Sequence, residues 1–173
     1  MFKKLQIYGL CLLNILLTNE WSLNVTITIR NAEAGDSGRC LELLTALGAA
    51  TGSGTGSKNS PATKEVFEKL LSGDRGRIIV AEEAGVILGM ATVSYNLAVR
   101  YGGEYCQLEE LIVDPAARGK NVGGQLVQRT VDDASERGCA EYGLYLLEST
   151  EHNRPFYAKY GFKVIGTEMR QRL

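Results

Sequence analysis

Leu108–Leu126 reads LEELIVDPAARGKNVGGQL, which has the order of a strand, a tight glycine-bearing turn and a helix. Leu108 to Val113 is a short apolar run closed by Asp114 and Pro115, and from Val122 the apolar residues recur at helical spacing. Between them, Arg118, Gly119, Lys120, Asn121, Val122, Gly123 and Gly124 supply two cations and three glycines. The first amides of a helix have no intrahelical acceptor and stand at the positive end of its dipole, so this turn favours a phosphate or pyrophosphate. Two better-known phosphate loops do not fit. No GxxxxGK precedes a Ser or Thr, which argues against a P-loop. No GxGxxG follows the strand with an acid about 20 residues on, which argues against a dinucleotide fingerprint.

The chain has 173 residues, enough for one domain that buries about 70% of the surface its unfolded form exposes. Nineteen Lys and Arg against twenty Asp and Glu leave no global attraction to nucleic acid or to an acidic membrane. Cys11, Cys40, Cys106 and Cys139 are far apart and form no CxxC pair or metal-type cluster with the single histidine, His152. Free buried thiols in a reducing cytoplasm, and no metal, are therefore expected. Lys3 and Lys4 precede an apolar run from Leu5 to Leu17 that looks like the start of a signal peptide, but no small-x-small cleavage site follows. Gln6 and Asn14 interrupt the run, which is shorter than the ~20 residues of a spanning helix. Residues 1–24 are expected to be an apolar extension beside a domain covering 25–173, with an export signal ranked second and a membrane anchor last.

Around the phosphate turn, the β-branched alternation of Val25–Arg30 predicts a first strand. Asp36 is positioned to cap a helix whose apolar face is Cys40, Leu41, Leu43, Leu44 and Leu47. Gly48 to Ser60 reads as a flexible loop, and Pro61 opens a second helix that Gly73 ends. Arg77–Glu82 and Val86–Val99 are strands joined by a short turn at Glu83, Ala84 and Gly85. Tyr101, Gly102 and Gly103 turn the chain into the strand ending at Val113. A helix from Val122 stops at Gly138, followed by a strand Tyr142–Leu147, a short helix Asn153–Tyr160, a strand Phe162–Ile165 and a final strand near Met169–Arg172. The pattern is a mixed α/β sheet with helices on its faces.

The turn resembles the acyl-CoA signature of the GNAT superfamily of N-acyltransferases, written Arg or Gln, x, x, Gly, x, Gly or Ala. Arg118 and Gly123 fit it, and Asn121 stands at the middle glycine. Asn tolerates left-handed backbone angles and can also cap the following helix. The strand ending Val113-Asp114-Pro115 and the segment FYAKYGF, Phe156–Phe162, match the same family, so the resemblance covers roughly Ile27 to the C-terminus. It implies a mostly antiparallel central sheet of six to seven strands, helices on both faces and a splayed central strand pair. Acetyl-CoA would be the donor, with its pantetheine arm paired to the backbone of Leu111, Ile112 and Val113. The RG-x-NVG form of the loop is also similar to that of aminoalkylphosphonate N-acetyltransferases, a hint of a small amine bearing an anionic group. A homodimer is a further expectation.

Acetyl transfer needs the amine neutral, and an alkylammonium has a pKa near ~10, so a base is required. Glu109 and Glu110 are the candidates, and because strand residues alternate in direction only one can face the site unless the strand is bulged. The resemblance to polyamine and aminoglycoside acetyltransferases favours Glu109 as base, with Glu110 binding or shaping the acceptor. Tyr157 holds the place of the family's general-acid tyrosine, with Tyr160 its rival on spacing. Where many relatives carry an asparagine for the pantetheine, this chain has Thr150, and Asn153 either substitutes or caps the short helix. His152 beside a helix start reads as a surface or capping residue. A non-catalytic acyl-CoA-binding module stays open as the alternative. It would need the loop but neither Glu109 nor Tyr157.

Overall fold

The Ala84-Gly85 turn joins the two strands on which the rest of the sheet is built. Both residues have positive φ, 51° and 79°, the requirement of a two-residue turn whose twist matches that of its strands. Gly85 meets it without cost, whereas Ala84 carries a Cβ into the left-handed region. The computed structural model describes residues 26–51 and 60–171. The hairpin is β2 (Gly76–Glu83) and β3 (Val86–Ala98), preceded by β1 (Thr28–Asn31) and followed by β4 (Gly103–Val113) and β5 (Tyr142–Leu144). They form one sheet in the order β1-β2-β3-β4-β5, antiparallel throughout except for the parallel pair β4–β5.

Strand alternation divides the core between the two faces of this sheet. Ile78, Val80, Ile87 and Met90 meet Cys40, Leu43 and Phe67 of the helices α1 (Ser37–Thr51) and α2 (Pro61–Leu71). Ile79, Ala81, Ala91 and Val93 face the other way and meet Val122, Leu126 and Ala134 of α3 (Val122–Glu136). The expected helices on both faces are thus present. Ser60 caps α2 by accepting the Thr63 amide at 3.1 Å. Burial pushes the Cys40 thiol up to about 11 and the Cys106 thiol up to about 12, so both stay protonated and inert near neutrality.

Several expectations are corrected. The sheet has five strands rather than six or seven among the described residues. Phe162–Ile165 and the described part of Met169–Arg172 have strand propensity but no strand partner, and Val164, Ile165 and Met169 stand 66%, 86% and 93% exposed. Strand formation needs a neighbouring row of free backbone groups, and β5 runs for only three residues, not to Leu147. The splayed pair consequently lies at one edge of the sheet, not at its centre. Helix α1 continues through Gly48 to Thr51 where a loop was expected, because the alanines after Gly48 favour helix and the one glycine costs only about 1 kcal/mol. Asp36 does not cap with its own side chain over α1. It accepts the Glu33 amide and pairs with Arg30, which also grips Glu82 at 2.6 Å. The segment expected as one helix over Asn153–Tyr160 is a 3₁₀ turn, Glu148–Asn153, followed by α4 (Arg154–Ala158). The expectations for residues 1–25, and for the loop over 52–59, lie outside the described residues. No described helix is long and apolar enough to cross a membrane.

One buried charge locks α3 onto the sheet. Asp133 is 5% exposed, forms an ion pair with Arg77 of β2 at 3.0 Å and accepts a hydrogen bond from Arg129 of its own helix at 2.8 Å. Asp133→Ala would leave the two guanidiniums without their counter-charge. Since each is about one third exposed, the expected loss is about 2–3 kcal/mol, short of the ~3–5 for a fully buried pair. Urea unfolding measures it, and a loss under about 0.5 kcal/mol would contradict the role given to Asp133.

Candidate active site

The register between β3 and β4 breaks in the middle of the LEEL run. Val93 pairs with Leu108 and Thr92 with Glu110, so Glu109 is an extra residue on β4, a β-bulge. Alternation then fails at one point. Thr92 and Ser94 sit two apart on β3 and share a face; the Thr92 hydroxyl donates to Glu110 and the Ser94 hydroxyl to Glu109. Both carboxylates therefore stand on the α1/α2 face, whereas Leu108 and Leu111 on either side join the α3-side core. This is the bulged exception to strand alternation. Glu109 is exposed and Glu110 half-buried.

Glu110 lines a cavity of about 330 Å³ between α1, α2 and the sheet, with Leu41, Leu44, Ala62, Val66, Phe67, Leu70, Ile78, Met90, Thr63 and Thr92 completing the wall. Thr92 and Ser94 were missed as site residues. Their signal was the polar run Thr92, Ser94, Asn96 at every second position of an otherwise apolar strand, continued in space by Asn96 donating to Ser94 at 2.9 Å.

At the bulge β5 also leaves β4. The parallel pairing is Cys106–Tyr142, Gln107–Gly143 and Leu108–Leu144, and it goes no further. From Glu109 to Val113 no strand among the described residues pairs with β4 on that side, while the side chains of Leu111 and Val113 pack against one core cluster and Ile112 against the other. Among the described residues this backbone edge has no partner strand, and its side chains are partly buried against the core.

Downstream, Asp114 closes β4 by accepting the Ala116 amide at 2.8 Å. That bond, together with the Arg39 guanidinium from α1, holds its carboxyl below the usual carboxylate range. Arg118 follows, exposed, and then the left-handed Gly119 and Asn121, with φ 85° and 57°. Asn121 adopts the backbone angle its position demands, but its side chain makes no cap bond to α3. Its amide oxygen instead lies with the Tyr160 hydroxyl beside Gly124, nearer than any Cβ there could tolerate. Tyr160, the weaker candidate on spacing, thus packs against the loop's own helix. Among the described residues no acceptor meets the amides of Gly119, Asn121, Val122, Gly123 and Gly124. Lys120 is directed to Glu83 at the β2–β3 turn.

Tyr157 is half-buried in the α3-side cluster, edge-on to Phe156 at 5.0 Å and to Phe162 at 6.1 Å. No described residue bonds its hydroxyl, which sets it apart from Tyr142, whose hydroxyl donates to Thr130 at 2.8 Å. Thr150 spends its hydroxyl on the Leu147 carbonyl at 3.1 Å. Asn153 is exposed at the start of α4 and makes no side-chain cap. His152 is exposed nearby, away from both glutamates' partners.

Residues 46–162 fit the acetyltransferase (GNAT) family model. The chain belongs to the GNAT family. Over 102 residues it is 34% identical to the "Probable glucosamine 6-phosphate N-acetyltransferase 2" of Oryza sativa subsp. japonica, covering 56% of this chain and 60% of that protein. The chain thus spans less than two thirds of that relative's length. It is 30% identical over 141 residues to the glucosamine 6-phosphate N-acetyltransferase of Arabidopsis thaliana, covering 79% of this chain and 89% of the relative. The crystal structure of glucosamine-6-phosphate N-acetyltransferase from Arabidopsis thaliana superposes with a TM-score of 0.70 at 29% identity, over 85% of this chain and 98% of that one.

Burial pushes the Tyr157 phenol above its ordinary value near 10. A raised folded-state value means that the protonated side chain contributes stability below the unfolded value, and that this contribution fades as pH rises through the folded one. Difference absorbance between the chain and Tyr157→Phe is therefore expected to show one phenolate appearing only above pH ~10. Ionisation of that phenol below pH ~9 would contradict its burial.

Proposed function

We propose that this GNAT protein transfers an acetyl group from acetyl-CoA to a primary amine of a small molecule. The observation that carries the reading is the coincidence at one point of β4 of two features. Two carboxylates turn to the same face there, and the neighbouring strand departs from the edge. In this reading Arg118 and the amides of Gly119, Asn121, Val122, Gly123 and Gly124 hold the donor's pyrophosphate, an anion that free amides at a helix start suit. Lys120 flanks the loop with its charge paired to Glu83. The backbone of Leu111, Ile112 and Val113 supplies hydrogen bonds to the pantetheine amides, and Asn153 adds a further contact to the donor.

Acetyl-CoA supplies an activated acyl group as a thioester. The chain's own residues manage the protons. Glu110 receives the acceptor as an ammonium, and Glu109, directly or through water, takes a proton from it. The freed amine forms the new N–C bond as the C–S bond breaks, and the second proton shed by its nitrogen passes through water to the phenolate that Tyr157 becomes on protonating the thiolate. Tyr157 donates its hydroxyl proton to the departing thiolate, for which its burial is suited because the phenol stays protonated. Its unbonded hydroxyl favours this role over that of a core aromatic, and the pair Glu109 and Tyr157 favours turnover over binding alone.

Arg118→Glu is expected to abolish acetyl-CoA binding in calorimetry, and unchanged affinity would remove the loop from the donor site. Tyr157→Phe is expected to lower kcat about 100-fold or more while the dissociation constant for acetyl-CoA moves by less than about threefold. Equal activity of the two proteins would remove the tyrosine from proton transfer.

A further inference from the structure

The cavity beside Glu110 belongs to the acceptor in the reading above, and its wall restricts what that acceptor can be. Eight of its lining side chains are apolar: Leu41, Leu44, Ala62, Val66, Phe67, Leu70, Ile78 and Met90. The polar members are two threonines and one carboxylate, and none of the described lining residues is Lys, Arg or His. Its volume, about 330 Å³, falls in the range of small-ligand sites. We infer that the acceptor is a primary amine on an apolar arm, an alkylamine or arylalkylamine. Its ammonium meets Glu110 and Glu109 at the bulge, and its hydrocarbon fills the space between α1 and α2. The inference rests on the transferase reading for the fate of the amine and on the cavity for its chemical class.

Charge decides against the alternative. A phosphate monoester would enter a wall that offers it a carboxylate and no described cation, and would lose its hydration without replacement. The relatives named for glucosamine 6-phosphate would differ from this chain on that point. A hydrocarbon loses nothing on entering, and each methylene buried adds about 0.8 kcal/mol, or about fourfold in affinity. An ammonium at one end is held by its complement. The polar stripe on β3 serves the same arrangement, since Thr92 holds the Glu110 carboxylate in the wall of an otherwise apolar space and Ser94 holds Glu109 on the same face.

The test is a homologous series, n-butylamine, n-pentylamine and n-hexylamine, with 2-phenylethylamine and glucosamine 6-phosphate. Each is assayed on the full chain with acetyl-CoA by release of the CoA thiol, and by calorimetric titration in the presence of CoA. The apolar amines are expected to be acetylated, with KM falling about fourfold per methylene and kcat/KM for 2-phenylethylamine at least about tenfold above that for glucosamine 6-phosphate. Val66 lines the cavity and is 54% exposed on α2, so Val66→Lys spares the fold. It is expected to raise KM for 2-phenylethylamine about fivefold or more by setting a cation beside the arm, with acetyl-CoA affinity unchanged. Preference for glucosamine 6-phosphate, or a flat alkylamine series, overturns the proposed class and leaves the transferase reading standing. Stoichiometric binding of 2-phenylethylamine without thiol release supports the class and removes the transferase reading. Acetyl-CoA binding with no binding of any apolar amine overturns the class.

Discussion

One extra residue in β4 governs the rest of the site. Without a bulge, Glu109 and Glu110 would face opposite sides of the sheet, one among the α3-side core and one toward α1 and α2. With it, Val93 pairs with Leu108 and Thr92 with Glu110, and both acids share a face. Burying a carboxylate in the cluster of Ile79, Ala91, Val93 and Leu126 would leave it without a partner, which costs far more than a local break in the ladder. The bulge also marks where β5 stops pairing, because an interrupted and twisted strand no longer presents evenly spaced groups to a parallel neighbour.

Around that point the two faces have separate tasks. The α3 side holds the loop of free amides and Tyr157, and is anchored by Asp133 between Arg77 and Arg129. The opposite side holds the carboxylates and the apolar cavity, and is anchored by Arg39 reaching from α1 to Asp114 at the end of β4. Arg39 ties the helix that walls the cavity to the residue that opens the phosphate turn. In the proposed reading, the donor and acceptor regions are thereby linked through one guanidinium.

Local features were legible in the sequence and long-range ones were not. The β2–β3 turn, the strand-turn-helix at Leu108–Leu126 and the end of α2 at Gly73 each depend on residues within a few positions, and each lies where pattern places it. The bulge depends on which β3 residue faces which β4 residue, and nothing within LEEL announces it. The missing strands after Phe162 fail for the same reason. Val164 and Ile165 have the propensity, but pairing requires a free edge elsewhere in the chain, and β5 offers three residues. The cavity needed α1 and α2 set against β3, and its only local trace was the polar residue at every second position from Thr92 to Asn96. Asn121 divided cleanly: its left-handed backbone followed from its type, but the destination of its side chain depended on Tyr160, 39 positions later.

The ion pair between Lys120 and Glu83 has a further consequence. Of the two cations near the phosphate turn, one is already held by an anion on a neighbouring hairpin, with the lysine 44% and the glutamate 21% exposed. An arriving polyanion would meet one uncommitted guanidinium and a set of neutral amides rather than two free positive charges. Recognition built on amides is directional, whereas attraction between exposed charges has no preferred direction and weakens beyond a screening length of about 8 Å at physiological ionic strength. At this turn the shape of the backbone would therefore supply selectivity, while the Arg118 guanidinium supplies the charge.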